Sequence, residues 1–177
     1  MTSASAWATT AYDDEIEAIV LDVALKRSQK AARLREFRQE EVESCVQSGL
    51  EKYFAHKEWD RFYWYVIVAG DFPSQEYVST LAAALDLARS EPEVYALNIV
   101  LTLSDIAAPE SVPVLARTVA WHRADDEFND LAVNAMDALL HIDTPESRQF
   151  IASLVDDDRE EVRELAQEVA EDPERFW

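Results

Sequence analysis

The chain has 177 residues, of which 36 are acidic and 16 are basic, so its formal net charge is −20. Hydrophobic residues make up 49% of the chain, which is a globular rather than a disordered composition. Only two glycines are present, Gly49 and Gly70, and they cannot build a glycine-rich phosphate-binding loop. A field this negative repels nucleic acid and anionic membrane surfaces, so neither is expected as a partner.

Targeting segments are not visible in the sequence. The longest apolar run, residues 62–70, is far shorter than the roughly 20 residues of a membrane-spanning helix. Residues 1–12 hold no Lys or Arg and no apolar h-region, so we expect a disordered tail rather than a secretory signal. The single cysteine, Cys45, permits no intrachain disulfide, which fits a reducing compartment. The sequence therefore predicts a cytoplasmic protein.

The helical period begins at Asp13 and predicts N-terminal helices over residues 13–57. The first carries an apolar stripe: Ile16, Ile19, Val20, Val23 and Ala24. A later helix carries another: Val42, Cys45, Val46, Gly49, Leu50, Tyr53 and Phe54. Because Cys45 lies inside this stripe, we interpret it as a buried hydrophobic residue rather than a reactive thiol. The basic block at residues 26–38 is interpreted as a solvated helix face whose positive charges balance nearby acidic residues.

An internal repeat organises the rest of the chain. Three prolines follow one another at steps of 36 residues: Pro73, Pro109 and Pro145. The segment 108–111, Ala-Pro-Glu-Ser, also matches the segment 144–147, Thr-Pro-Glu-Ser. A fixed step of this length predicts stacked pairs of helices. The same register aligns Ile67 with Leu103 and places the aromatic segment 59–70 at the helix position of residues 93–103, so we predict a helix there although its local propensity favours a strand.

Each repeat unit is predicted to contain a helix A that starts just after the proline and a helix B that follows a short acidic loop. In the middle unit the apolar stripe of helix B is Leu131, Ala132, Ala135, Met136, Leu139 and Leu140. In the last unit the stripe is Val162, Leu165, Ala166 and Val169. Residues 156–158 are predicted to cap the N-terminus of this last helix, with Glu160 and Glu161 in its first turn.

A helix pair with proline near its start, and an acidic turn followed by Val162-Arg163, resembles a HEAT-like repeat over about residues 58–171. The 36-residue register and the near absence of glycine predict an all-α domain over residues 13–177, without a sheet and with about eight or nine helices. About three helix pairs would form a right-handed α-solenoid, and the N-terminal helices would cap one end. HEAT-like families bind proteins, or in some branches DNA or a tetrapyrrole, so the resemblance implies no single activity.

Common catalytic motifs are missing from the sequence. It contains no G-x-S-x-G motif and no H-E-x-x-H motif, and its histidines, His56, His122 and His141, are interpreted as surface or interhelix residues. The acidic clusters at 125–127 and 156–158 lack the glycine and the spaced oxygens of a calcium loop. We therefore predict no enzymatic activity, no cofactor and no metal site.

The acidic turns that open the B helices form the first candidate contact surface. Equivalent turns of stacked repeats line up along one edge, so we expect a continuous acidic ridge with more carboxylates than helix capping requires. Trp121, at the end of a helix A, is the candidate apolar anchor. The ridge consists of Asp125, Asp126, Glu127, Asp130, Asp156, Asp157, Asp158, Glu160 and Glu161.

The aromatic helix 59–70 offers a second candidate surface, because it is apolar on both faces. Trp64 and Tyr65 lie roughly opposite to Phe62 and Tyr63. Either the N-terminal helices cover the face of Trp64 and Tyr65, or this face is a contact patch for a partner.

Taken together, size, charge and missing catalytic motifs predict a non-catalytic module that binds a cationic protein. The most concrete version is an acidic immunity or inhibitor protein that neutralises a basic toxin domain, such as a nuclease, because electrostatic steering gives rapid capture. An adaptor or assembly factor would use the same surface. A HEAT-like lyase or glycosylase is a third alternative, which the net charge of −16 over residues 73–177 disfavours.

Overall fold

The computed structural model describes residues 12–122 and 129–176. In these ranges it contains α-helices and short 3-10 helices but no strand, which confirms the predicted all-α class there. The helices are α1 (Asp13–Leu21), α2 (Arg27–Leu34), α3 (Gln39–Ala55), α4 (Trp59–Asp71), α5 (Val78–Leu87), α6 (Ala96–Ile106), α7 (Val112–Val119), α8 (Asp130–Ile142), α9 (Pro145–Ala152), α10 (Glu160–Glu171) and α11 (Pro173–Phe176). The expected eight or nine helices are too few, because the basic block forms α2 and a short helix follows α10.

The first predicted stripe ends earlier than expected. Helix α1 stops at Leu21, Asp22 leaves the helical region with ψ of 101°, and Val23 is 77% exposed. The carboxylate of Asp22 accepts a hydrogen bond at 2.9 Å from the backbone N–H of Ala24 and so stabilises a turn. The prediction that Val23 and Ala24 continue the buried stripe is wrong, because the chain turns here to pack α2 against α1.

Lys30 of α2 corrects the interpretation of the basic block as a solvated face, since its side chain is fully buried. Its Nζ donates hydrogen bonds to the carbonyl oxygens of Ile19, Val20 and Asp22 at 3.1, 2.6 and 2.6 Å. The same Nζ lies 4.6 Å from the centroid of the Trp64 ring. Burial lowers the pKa of Lys30, while the negative C-terminal end of α1 accepts its ammonium group. One lysine thus joins α1, α2 and α4.

From α3 onward the helices pack in two layers. In one layer the helices contact one another in the order α3, α5, α7, α9, and in the other layer in the order α4, α6, α8, α10. Each helix of the first layer also contacts the helix that follows it in the chain: α3 with α4, α5 with α6, α7 with α8 and α9 with α10. The hydroxyl of Thr102 in α6 donates a hydrogen bond at 3.0 Å to the carbonyl of Val66 in α4, 36 positions earlier. The repeat step of the sequence is therefore the step between neighbouring helices of one layer, and the predicted helix over 59–70 is confirmed.

The predicted apolar stripes of α3, α8 and α10 face the core. All six stripe residues of α8 are buried, as are Val162, Ala166 and Val169 of α10, while Leu165 is half-buried. Pro109 opens the 3-10 helix before α7 and Pro145 opens α9, as the sequence predicted. The buried apolar side chains form one cluster that runs from Ile16 to Val169.

The repeat is also visible in the backbone at the ends of α6 and α8. Ala107 and Asp143, 36 positions apart, adopt the left-handed conformation with φ of 51° and 50°, and each lies two residues before a proline. This conformation costs a residue with a Cβ about 1 kcal/mol or more, whereas glycine adopts it freely. Both turns therefore reverse the chain without a glycine.

Substitution of Ala107 by Gly is expected to stabilise the protein by about 0.5 kcal/mol, because relief of the left-handed strain exceeds the entropy that glycine adds to the unfolded chain. Urea unfolding followed by circular dichroism measures the change. The matched control is Ala83→Gly at an exposed position inside α5, which should destabilise by about 1 kcal/mol. Equal losses in both variants would contradict the expected gain.

Candidate functional site

The acidic ridge predicted from the sequence is described only in part. Asp125, Asp126 and Glu127 lie outside the described residues. Asp130 opens α8 and is exposed, and Asp156, Asp158 and Glu160 are exposed at the start of α10. The amide of Asn129 donates a hydrogen bond at 3.0 Å to the carboxylate of Glu161. This contact places the start of α8 beside the start of α10.

The cluster at 156–158 does not cap α10 as predicted. The N-cap residue of α10 is Arg159, whose side chain accepts no capping hydrogen bond. The carboxylate of Asp157 instead accepts a hydrogen bond at 3.0 Å from the backbone N–H of Arg159, and Asp156 and Asp158 point to solvent. The surplus carboxylates therefore have no role as caps for this helix.

Asp157 and Arg159 form an ion pair in which the side chains are 12% and 8% exposed. The guanidinium donates to the two carboxylate oxygens at 2.8 and 2.9 Å, and also donates at 2.6 Å to the carbonyl of Val119 at the end of α7. Hydrogen bonds from Arg159 lower the pKa of Asp157 to about 2. Asp157 is thus a structural carboxylate that ties α10 to α7, and its charge is not free for a partner.

Trp121, the predicted anchor, follows α7 and packs half-buried against the core. The guanidinium of Arg89 lies 5.5 Å from the centroid of its ring and also donates a hydrogen bond at 2.5 Å to the carbonyl of Arg117. A cation of the chain itself therefore covers part of the indole, in the geometry of a cation–π contact.

The second candidate surface, Trp64 and Tyr65, is not a surface in the structure. Tyr65 is 1% exposed, and the centroid of its ring lies 5.4 Å from the ring centroid of Tyr53 in α3. Trp64 packs against the core beneath the buried Lys30. Of the two alternatives that the sequence left open, the N-terminal helices cover this face, so the prediction of a contact patch at Trp64 and Tyr65 is wrong.

The sequence reasoning missed an exposed apolar row on α6. Tyr95 is 50% exposed, Leu97 41% and Leu101 44%, and the tyrosine ring lies 4.7 Å from that of Tyr63. Leu97, Leu101 and Asp105 occupy positions i, i+4 and i+8 of α6, so they lie in one row along the helix. The sequence does indicate such a row, because residues 96–106 place apolar side chains around most of the circumference of α6, as in α4. We call the row of Leu97, Leu101 and Asp105 the α6 surface.

Carboxylates and one arginine border the α6 surface. Arg27 of α2 lies 3.0 Å from Asp71 and 3.8 Å from Asp105, so α2 flanks one side of the row. On the other side α8 packs along α6 and carries the exposed Asp137. Partial desolvation raises the pKa of Asp137 and, against the opposing charges of Arg27 and His141, also that of Asp105. The rim of this apolar row therefore carries Asp137 and His141 on the α8 side, and both carboxylates and Arg27 on the α2 side.

The single cysteine lies in the core, and the three histidines lie at the surface. Cys45 is buried and desolvation raises the pKa of its thiol to about 12, so the thiolate that reactions need is disfavoured. His56, His122 and His141 are exposed, and no group of three metal-ligating side chains occurs within residues 12–122 and 129–176. In the same ranges no helix has the length and apolar character required to span a bilayer.

Comparison of the chain with protein-family models, with curated protein sequences and with solved structures found no match.

Proposed function

We propose that this chain is a non-catalytic module that binds a cationic protein, most concretely an acidic immunity or inhibitor protein that neutralises a basic toxin domain in the cytoplasm. The observation that carries the proposal is the charge of residues 73–177, which hold 23 acidic and 7 basic side chains. Clefts and ridges of one sign raise the association rate of an oppositely charged protein. An inhibitor gains most from this effect, because it must capture the toxin before the toxin acts.

The fold that fits this role is a HEAT-like α-solenoid. Four helix pairs, α3–α4, α5–α6, α7–α8 and α9–α10, contact one another in chain order, and like helices contact like helices. That pattern supports a stack of repeats in which α1 and α2 cap the α3–α4 end, and the right-handed sense of the stack is part of the proposal. A stack exposes equivalent positions of successive helices along one extended surface, which suits the binding of another protein.

The ridge at the starts of α8 and α10 is the proposed region of first electrostatic contact. Asp130, Asp156, Asp158 and Glu160 are exposed there, and the Asn129–Glu161 hydrogen bond brings the two helix starts together. Residues 125–127, which lie outside the described residues, are three further acidic residues shortly before Asp130 in the sequence. Trp121, which follows α7 and is half-buried against the core, is the proposed apolar anchor.

The test is to capture a partner from an extract of the source organism at low salt and to measure its association rate with the purified chain. The partner is expected to be basic, and its association rate should fall at least about tenfold between 0.1 M and 1 M salt, because the Debye length falls from about 10 Å to about 3 Å. The double variant Asp156→Asn/Asp158→Asn should slow association, whereas Glu171→Gln/Glu174→Gln, with the same loss of charge at the C-terminal end, should slow it less.

An association rate that does not depend on salt would overturn the proposed role of charge. The biological role is tested separately: co-expression of the chain should protect cells from a captured toxin. A captured basic partner that is not toxic would favour the adaptor alternative.

A further inference from the structure

We propose that the α6 surface is the docking site for a cationic amphipathic helix of the partner protein. The proposal rests on the proposed function, since it names the element of a cationic partner that this chain binds and the surface that binds it. It adds a second contact region to the acidic ridge, formed by side chains on the helices rather than by the turns between them.

The α6 surface presents apolar area in the arrangement that a helix requires. Leu97 and Leu101 are one helical turn apart and are each more than 40% exposed, at 41% and 44%. Tyr95 lies two positions before Leu97 and therefore off this row, and its ring packs at a tilt against that of Tyr63, with 4.7 Å between the ring centroids. A helix laid along such a row can bury both leucines with apolar residues at its own i and i+4 positions, which is the usual mode of helix-in-groove recognition.

Helix α2 borders the row of Leu97, Leu101 and Asp105 on one side. Helix α2 packs on α4, and its Arg27 reaches across to Asp71 of α4 and Asp105 of α6. The neighbouring helix in the layer, α4, is therefore covered by α2 and by the contact of Lys30 with Trp64, whereas Leu97 and Leu101 of α6 stay exposed. The α6 surface begins where the covering N-terminal helices end.

Charge at the border selects a cationic occupant. Asp105 lies in the same row as the two leucines, and Asp137 is exposed on the adjoining α8. Both carboxylates are exposed, so lysine or arginine side chains of an occupant can pair with them, although Asp105 also lies 3.8 Å from Arg27 of this chain. A second copy of this chain is disfavoured as the occupant, because each copy carries a net charge of −20 and the same acidic border.

The probe for this inference is a fluorescein-labelled peptide of 18 residues in which leucines form one helical face and lysines the other. A second peptide has the same lysines and alanine in place of leucine. Fluorescence anisotropy with the full chain at 0.1 M salt should give a lower Kd for the leucine peptide by at least tenfold. The double variant Leu97→Gln/Leu101→Gln should raise the Kd for the leucine peptide at least tenfold, since it removes the apolar area that the peptide covers.

The matched control is Val23→Gln, which replaces an apolar side chain that is 77% exposed between α1 and α2 and is not part of the row on α6. It should leave the Kd unchanged, and circular dichroism should verify that every variant is folded. In a 15N-HSQC titration the largest shifts should map to α6 and α8.

Two results would overturn the docking site. In the first, both peptides bind equally and the Leu97→Gln/Leu101→Gln variant binds like the original chain. In the second, the leucine peptide fails to bind at 0.1 M salt, or binds with shifts centred on the starts of α8 and α10. The proposed function would survive either result if the captured partner is basic and its association rate falls with salt, so the two failures are distinguishable.

Discussion

Replacement of Gly49 with alanine is expected to lower the free energy of unfolding by about 3 kcal/mol or more. Gly49 lies on the buried face of α3, and a Cβ built there would lie 1.9 Å from Cε1 of Tyr65. The ring cannot move away easily, because Tyr65 is 1% exposed and packs against Tyr53. The close approach of α3 and α4 therefore depends on the missing side chain. Urea unfolding followed by circular dichroism measures the loss.

Gly70 provides the matched control for this substitution. A Cβ at Gly70 would lie 2.7 Å from Oδ2 of Asp105, whose side chain is 49% exposed and can rotate away. Alanine also has the better helix propensity by about 1 kcal/mol, so Gly70→Ala should change stability little. The double variant Gly49→Ala/Tyr65→Leu should be more stable than the sum of its single changes predicts. Equal effects at the two glycines, or simple additivity, would contradict the clash.

Replacement of Asp157 with asparagine is expected to destabilise the protein by about 3 kcal/mol, because it leaves the charge of the buried Arg159 without its partner. The exposed neighbour offers a control with the same chemical change, since Asp156→Asn should alter stability by less than about 0.5 kcal/mol. Denaturant unfolding at pH 7 measures both. Similar small effects for the two variants would mean that the ion pair contributes little.

Low pH should remove the stability that the Asp157–Arg159 ion pair contributes. The pKa of Asp157 in the folded chain is lowered to about 2, below its ordinary value of 3.8. A depressed folded-state pKa gives stability that is present above the unfolded pKa and is lost as the pH falls toward the folded pKa. The difference in stability between the original chain and Asp157→Asn should therefore shrink between about pH 4 and pH 2. A difference that stays constant over this range would contradict the depressed pKa.

Much of the fold was predictable from the sequence, because helix pairs leave periodic signals. The 36-residue step identified α4 as a helix against its strand propensity, and the structure confirms it in the hydrogen bond from Thr102 to Val66. The stripes of α3, α8 and α10 follow from a period of 3.6 residues and are buried as predicted. The end of α1 was missed, because a local turn at Asp22 overrides a periodicity that continues to Ala24.

The candidate site was less predictable, because a sequence does not say which element lies opposite a given side chain. The sequence identified exposed carboxylates at the starts of α8 and α10, but Asp157 is engaged by an arginine two positions later whose other contact, Val119, is distant in sequence. Lys30 would be solvated on an isolated helix, yet it is buried against carbonyls of α1.

Composition and periodicity by themselves determined the helical class, the repeat step and the acidic charge of this protein, since these depend on residue types and their spacing. Only the tertiary structure decided which apolar faces are covered. Helices α4 and α6 are both apolar around most of their circumference, but α1, α2 and α3 pack on α4 and bury Tyr65, while Leu97 and Leu101 of α6 remain exposed. Burial depends on the partner that a face meets in space, and that partner comes from a distant part of the chain.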